Sequence, residues 1–187
     1  VEVMDKVYRA IRSVDTNHII VFPGTHKGIE FYGDPKEHGW ENIAFTEHYY
    51  PGLFGGDPSP ETHAEFIYRT LPLKENALDK LNTPFLVGEF NTVFGRLGGG
   101  ALMRRYYDEY ASRGWAATMW CYKLVDKDGG MDEDSWCMVK NRDPGPPCSI
   151  RSSPLEEIES WMRWLGTMDY AIYENLGAAL TMETPPP

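Results

Sequence analysis

The chain has 187 residues, 42% of them hydrophobic, and a net charge of −10 from 18 basic and 28 acidic side chains. That is the size of about one domain with enough apolar content for a core, which excludes a disordered chain. The acid excess excludes a nucleic-acid or anionic-membrane surface, and no apolar run approaches the roughly 18 residues of a membrane span. Cys121, Cys137 and Cys148 lack a CxxC spacing, so neither a disulfide framework nor a zinc site is expected and free thiols are the default.

Val3, Val7, Ile11 and Val14 recur at helical steps and predict an amphipathic helix over residues 2–14, core side on the valines. The chain opens at Val1 in this helix, with no charged leader or apolar signal segment. His18-Ile19-Ile20-Val21-Phe22 is an unbroken apolar run stopped by Pro23-Gly24, the pattern of a parallel strand. Residues 25–42 read as a loop with one short helix. Residues 43–50 form a second strand candidate, ended by Pro51-Gly52. Ser59-Pro60 opens a helix with a serine cap and proline at the first position. Pro72 should kink or break it before it resumes towards Leu81.

Residues 84–90 are the third strand. A glycine-rich loop at 95–100 leads into a helix that Gly114 stops, and residues 115–122 form the fourth strand. Residues 123–152 read as a long polar loop. Ser153-Pro154-Leu155-Glu156 reads as a capping box opening a helix with Ile158, Trp161, Met162 and Leu165 on one face. Helical pattern continues over 168–180 after a break near Gly166, and the proline-rich tail 183–187 is expected to be disordered. Alternating helices and apolar strands imply an α/β fold with a parallel sheet and right-handed crossovers. Four strands fit a small open sheet or half of an eight-stranded barrel.

Polar and aromatic residues gather at the strands' C-terminal ends, the rim where such folds bind ligands. Strand alternation places Thr46, His48 and Tyr50 on one face and turns Glu47 and Tyr49 away. The same rule groups Phe85, Val87 and Glu89, and also Thr118, Trp120 and Tyr122. A carboxylate, an imidazole, a phenol and an indole from three strands thus converge on one mouth.

Here the sequence resembles a family. Leu86-Val87-Gly88-Glu89-Phe90 resembles the nucleophile strand of glycoside hydrolase family five, the cellulase-like retaining β-glycosidases. His48-Tyr49-Tyr50 is similar to the family's His-x-Tyr strand, and Trp120 to its last-strand tryptophan. The motifs stand in the family's order over about residues 1–125. The resemblance implies the C-terminal half, strands five to eight, of a (β/α)8 TIM barrel over residues 1–182. It implies Glu89 as nucleophile, Tyr50 donating to it, His48 lining the site, and Trp120 as sugar platform. Tyr122 and Asn91 join Trp120 as substrate-binding candidates. The implied partner is a carbohydrate, with no cofactor or metal, in a secreted or periplasmic enzyme.

In this family the acid/base glutamate follows an asparagine on the fourth strand, ahead of the helix with which residues 1–187 open. No such Asn-Glu pair is present, so the chain is expected to be half of a longer enzyme, inactive alone and prone to self-association through unpaired sheet edges. Two other readings remain: a non-catalytic carbohydrate-binding or interaction module, and a metal-dependent barrel enzyme with His48 and Glu89 as ligands. Trp161 and Trp164 read as structural. Trp40 and Trp136 read likewise, except that their loops can reach a cleft. His26 with Lys27 reads as loop, and His63 as helix surface. The acidic run at Asp126, Asp128, Asp132, Glu133 and Asp134 lacks calcium-loop spacing and reads as solvated.

Overall fold

The computed structural model describes residues 1–24, 28–53, 56–92, 99–131 and 136–182. The expectations for His26, Lys27, Asp132, Glu133, Asp134, most of the glycine-rich loop at 95–100 and the tail at 183–187 lie outside them. The chain forms two compact units, Val1–Phe90 with Tyr106–Met119, and Asn91–Arg105 with Trp120–Pro187.

The first unit holds a four-stranded parallel sheet: β1 (Ile20–Pro23), β2 (Ile43–Tyr49), β3 (Phe85–Phe90) and β4 (Ala116–Met119), hydrogen-bonded in chain order. All four sit within a few residues of their expected positions. Phe22, Ile43, Phe45, Tyr49, Phe85, Val87 and Phe90 are buried on one face. The aromatic ones among them pack ring against ring with Tyr8, Tyr32, Trp40, Phe66, Tyr106, Tyr110 and Trp115. Edge-to-face and offset pairs of this kind add stabilisation beyond the area they bury. Trp40 is thus a core residue, buried with its indole N–H on Asp5 Oδ1 at 2.9 Å.

Helix α1 (Glu2–Arg12) departs from its pattern. Its buried residue is Tyr8, whose hydroxyl accepts from Glu41 N at 2.9 Å, while Val3, Val7 and Val14 are exposed. The valine stripe is therefore real but uncovered among the described residues. Between β2 and β3, α2 (Pro60–Glu65) and α3 (Leu71–Leu81) are joined by a π-helical turn, Phe66–Thr70. Ser59 caps α2 as expected, accepting from Thr62 N. Pro72 has no N–H to return to the preceding turn, and the chain answers with a wide turn in which Leu71 N reaches back to Phe66 O. The helix is widened rather than broken. His63, expected at the surface, is buried and bonded through Nδ1 to the Tyr106 hydroxyl at 2.7 Å.

Helix α4 (Gly99–Ser112) precedes β4. In the second unit, the stretch read as a polar loop contains β5 (Lys123–Leu124) and β6 (Val139–Asn141). The helical reading of 168–180 is interrupted by β7 (Tyr170–Ile172). These form a three-stranded sheet, β5 parallel and β7 antiparallel to β6. Strands of two or three residues carry no alternation to read. Helix α5 (Leu155–Thr167) starts without the expected box: Pro154 is the cap, and the Ser153 hydroxyl accepts from Ser149 N instead. Helix α6 (Glu174–Thr181) follows β7. All three cysteines are free. No helix among the described residues is long and apolar enough to cross a membrane.

Candidate active site

Alternation along β3 sends Val87 to the helix side, and simple continuation would bury Glu89 beside it. The structure corrects that grouping. Val87 pairs with Glu47 and Ala117, while Phe90 pairs with Tyr49 and Met119, so β3 carries one residue more than either neighbour. This is a β-bulge at Gly88-Glu89. Phe90 returns to the buried face, and Glu89 comes opposite His48.

Two contacts hold the bulge. The Thr118 hydroxyl donates to the Gly88 carbonyl at 2.6 Å, occupying an acceptor at the irregular point of the ladder. Gly88 lies so close to β2 that a Cβ there would meet Thr46 Oγ1 at 2.5 Å and His48 Nε2 at 3.1 Å. Glycine is needed for this close approach of backbone to side chains.

The outcome is a three-residue cluster. The Tyr50 hydroxyl donates to Glu89 Oε2 at 2.8 Å, and His48 Nδ1 lies 3.3 Å from the same oxygen. The Glu89 side chain is 29% exposed and that of His48 50% exposed, so the carboxylate is oriented yet open. A carboxylate held by a phenol and an imidazole at a strand's C-terminal end is arranged for nucleophilic or acid/base work.

Glu47, one position before His48, faces the other way, as alternation requires. It accepts from Ile29 N at 3.0 Å and from the Tyr49 hydroxyl at 2.8 Å, and Lys74 Nζ lies 3.1 Å from its Oε2. Lys74 also binds Glu30 at 2.9 Å. Burial works against the lysine's charge, but the two carboxylates hold its pKa above the ordinary value. Burial, and then the charge of Glu47, push the Tyr49 hydroxyl far up. This half-buried network ties the start of the Ile29–Tyr32 turn to β2 near the rim. A hollow of about 500 Å³ lies beside it, lined by Gly24, Thr46, Glu47, His48 and Lys74.

The other three candidates belong to the second unit. β4 ends at Met119, so Trp120 and Tyr122 follow the strand instead of alternating within it. Both rings are exposed. Asn91 is fully buried, contrary to its expected place against substrate. Its amide donates to the carbonyl of Trp120 at 2.6 Å and to that of Trp136 at 3.3 Å. The residue thus anchors the backbone that carries the Trp120 indole. Sequence reasoning missed Thr118 and misread Asn91; the signal for Thr118 was its place at the height of Glu89 on the adjoining strand. No group of His, Cys, Asp or Glu among the described residues is arranged to hold a metal ion.

A parallel α/β sheet with a carboxylate presented at a strand end is the arrangement in which barrel-type enzymes carry their active sites. The model of the cellulase family, glycosyl hydrolase family 5, matches residues 1–124, and the chain belongs to that family. Its fold is similar to the cellulose synthase subunit Z of Clostridioides difficile, with 18% identity and a TM-score of 0.51. That match covers 64% of this chain and 46% of the other. It is also similar to Thermotoga maritima Cel5A, determined in complex with mannotriose, with 21% identity and a TM-score of 0.50, covering 65% of this chain and 46% of the other. The chain therefore spans under half the length of these two structures, and its sheet resembles part of the barrel. No curated protein sequence matches it.

Proposed function

We propose that this chain carries the nucleophile side of a retaining β-glycosidase acting on a polysaccharide or oligosaccharide, with β1 to β4 as barrel strands five to eight. The carrying observation is the Tyr50–Glu89–His48 cluster on the bulged β3. The exposed valine stripe of α1 also supports a partial barrel, because a further β/α unit would cover it.

In this reading Glu89 attacks the anomeric carbon and forms a glycosyl ester, and a water molecule then hydrolyses it. With Oε2 held by Tyr50, Oε1 is presented for attack. The imidazole of His48 and the phenol of Tyr50 keep the carboxylate aimed. Trp120 supplies the platform for the sugar ring, Tyr122 extends it, and Asn91 positions it from behind. The acid/base carboxylate, which retaining enzymes place ~5–5.5 Å from the nucleophile, comes from strand four. Glu47 is unsuited to that role, being committed to Lys74, Tyr49 and Ile29.

The test separates the nucleophile from the acid. A 2-deoxy-2-fluoro-β-cellobioside with a dinitrophenolate leaving group needs no proton on departure, so the ester forms and accumulates without an acid/base residue. Incubation with the 187-residue chain should add one fluoroglycosyl mass to the peptide bearing Glu89, and Glu89→Gln should abolish it. Labelling of a different carboxylate, or none at all in the folded wild-type chain, overturns the assignment. Rapid steady turnover of an unactivated alkyl β-cellobioside by this chain would overturn the separate placement of the acid on strand four.

A further inference from the structure

The second unit contains a hollow of about 460 Å³ that the catalytic reading does not use. Its walls are fixed by a buried side chain. Asn141, at the end of β6, accepts from Asp126 N at 2.7 Å and donates to the carbonyls of Asp126 and Asp143, each at 2.8 Å. Gly145 N adds a bond to Lys127 O at 3.0 Å. The turn at 126–128 and the strap at 143–148 are thereby held together. Helix α5 closes the third side, with Trp164 so close to Gly145 that a Cβ there would meet the indole at 2.7 Å.

The apolar lining is Val125, Pro146, Trp161 and Trp164, and the polar rim is Asp126, Lys127 and Asp128. The two indoles lie three residues apart, on one face of a helix none of whose residues is buried. They are not spent on a core, unlike Trp40. Asp126 is held in place: Asp128 N donates to its Oδ1 at 2.9 Å, and Lys140 Nζ stands 3.6 Å from its Oδ2. Lys127 pairs with Asp128 at 2.6 Å.

We propose that this hollow binds neutral pyranose units of a glycan chain, at a second site built entirely from the second unit. Indole faces pack on the C–H face of a pyranose ring, while fixed carboxylates accept from its hydroxyls. A purely hydrocarbon ligand would take the charged rim out of water and offer it no hydrogen bond in return. The two rim carboxylates are matched by Lys127 and Lys140, so the hollow holds no excess positive charge, and a chain of net charge −10 disfavours anionic polysaccharides. The volume lies within the ~300–1,000 Å³ of ordinary ligand pockets. The proposal rests on the reading of the substrate as a glycan.

The experiment titrates cellohexaose and mannohexaose into the 187-residue chain, followed by calorimetry and tryptophan fluorescence, in a Trp120→Ala background that removes the proposed catalytic platform. At least one hexaose should bind, and Trp161→Ala should weaken it by about tenfold, one aromatic contact's worth. Asp128→Ala, at an exposed side chain whose loss leaves the fold intact, should weaken it severalfold, and it decides the matter if Trp161→Ala unfolds. Affinity untouched by Asp128→Ala and by any folded Trp161 variant overturns the site, as does binding of oligogalacturonate in place of both neutral probes. The fluoroglycoside labelling of Glu89, carried out with Trp120 intact, is indifferent to Trp161→Ala and Asp128→Ala, so a failure here is distinguishable from failure of the catalytic reading.

Discussion

Thr118 and Gly88 are joined across β3 and β4 by a 2.6 Å hydrogen bond from hydroxyl to carbonyl, at the point where β3 gains its extra residue. That bond and the missing side chain at position 88 together decide that Glu89 faces His48. Thr118→Val should cost about 1 kcal/mol in urea unfolding, the net worth of one such bond. Gly88→Ala should cost about 2 kcal/mol by overpacking against Thr46 and His48. It should also slow fluoroglycoside labelling at least tenfold, because displacement of a reacting group by fractions of an ångström is expensive. A labelling rate unchanged in Gly88→Ala would show that the bulge does not set the carboxylate's aim.

Lys74→Met should destabilise the chain by about 2 kcal/mol. The side chain of Glu47 is 10% exposed and would lose its counter-charge. Breaking a fully buried pair costs ~3–5 kcal/mol, and the 23% exposure of Lys74 argues for less. The double variant Lys74→Met with Glu47→Gln should recover part of the loss. Equal loss in the single and double variants would place the effect in packing instead of charge. Denaturant midpoints at pH 7 are the measurement.

The stability of the chain should fall as pH drops below about 6.5. Burial lowers the pKa of His63 in the folded state. An unfolded chain therefore takes up a proton near the ordinary histidine value of ~6.5 while the native chain resists it. The contribution is intact above that pH and is lost progressively down to the lowered native value. Comparing urea midpoints at pH 7.5 and pH 5.0 should show a larger drop for the wild type than for His63→Gln. Equal drops would mean that other groups carry the acid sensitivity.

The four parallel strands were legible because each is an apolar or β-branched run closed by Pro, Gly or a turn, and the pattern survives folding. So were His48, Tyr50 and Glu89 as neighbours, through their places at the strand ends. The route was not legible: alternation alone puts Glu89 with Val87, and only a hydrogen-bond register reveals the bulge. Asn91 was misread because burial of an amide depends on carbonyls 29 and 45 residues away, at Trp120 and Trp136. His63 was misplaced for the same reason, since its partner Tyr106 lies 43 residues on. The second sheet was missed because strands as short as Lys123–Leu124 are defined by pairing, not by composition.

The aromatic residues of the first unit are concentrated on one side of its sheet. The opposite side, past Val21 on β1, presents Ala44, Thr46, Leu86, Gly88, Ala116 and Thr118, none of them buried. Leu86 apart, the side chains on β2 to β4 there are short. In the barrel reading proposed above, that side turns towards the barrel axis, where side chains from alternate strands stack in layers and fill the interior; short ones here leave room for longer ones from the strands that close the ring.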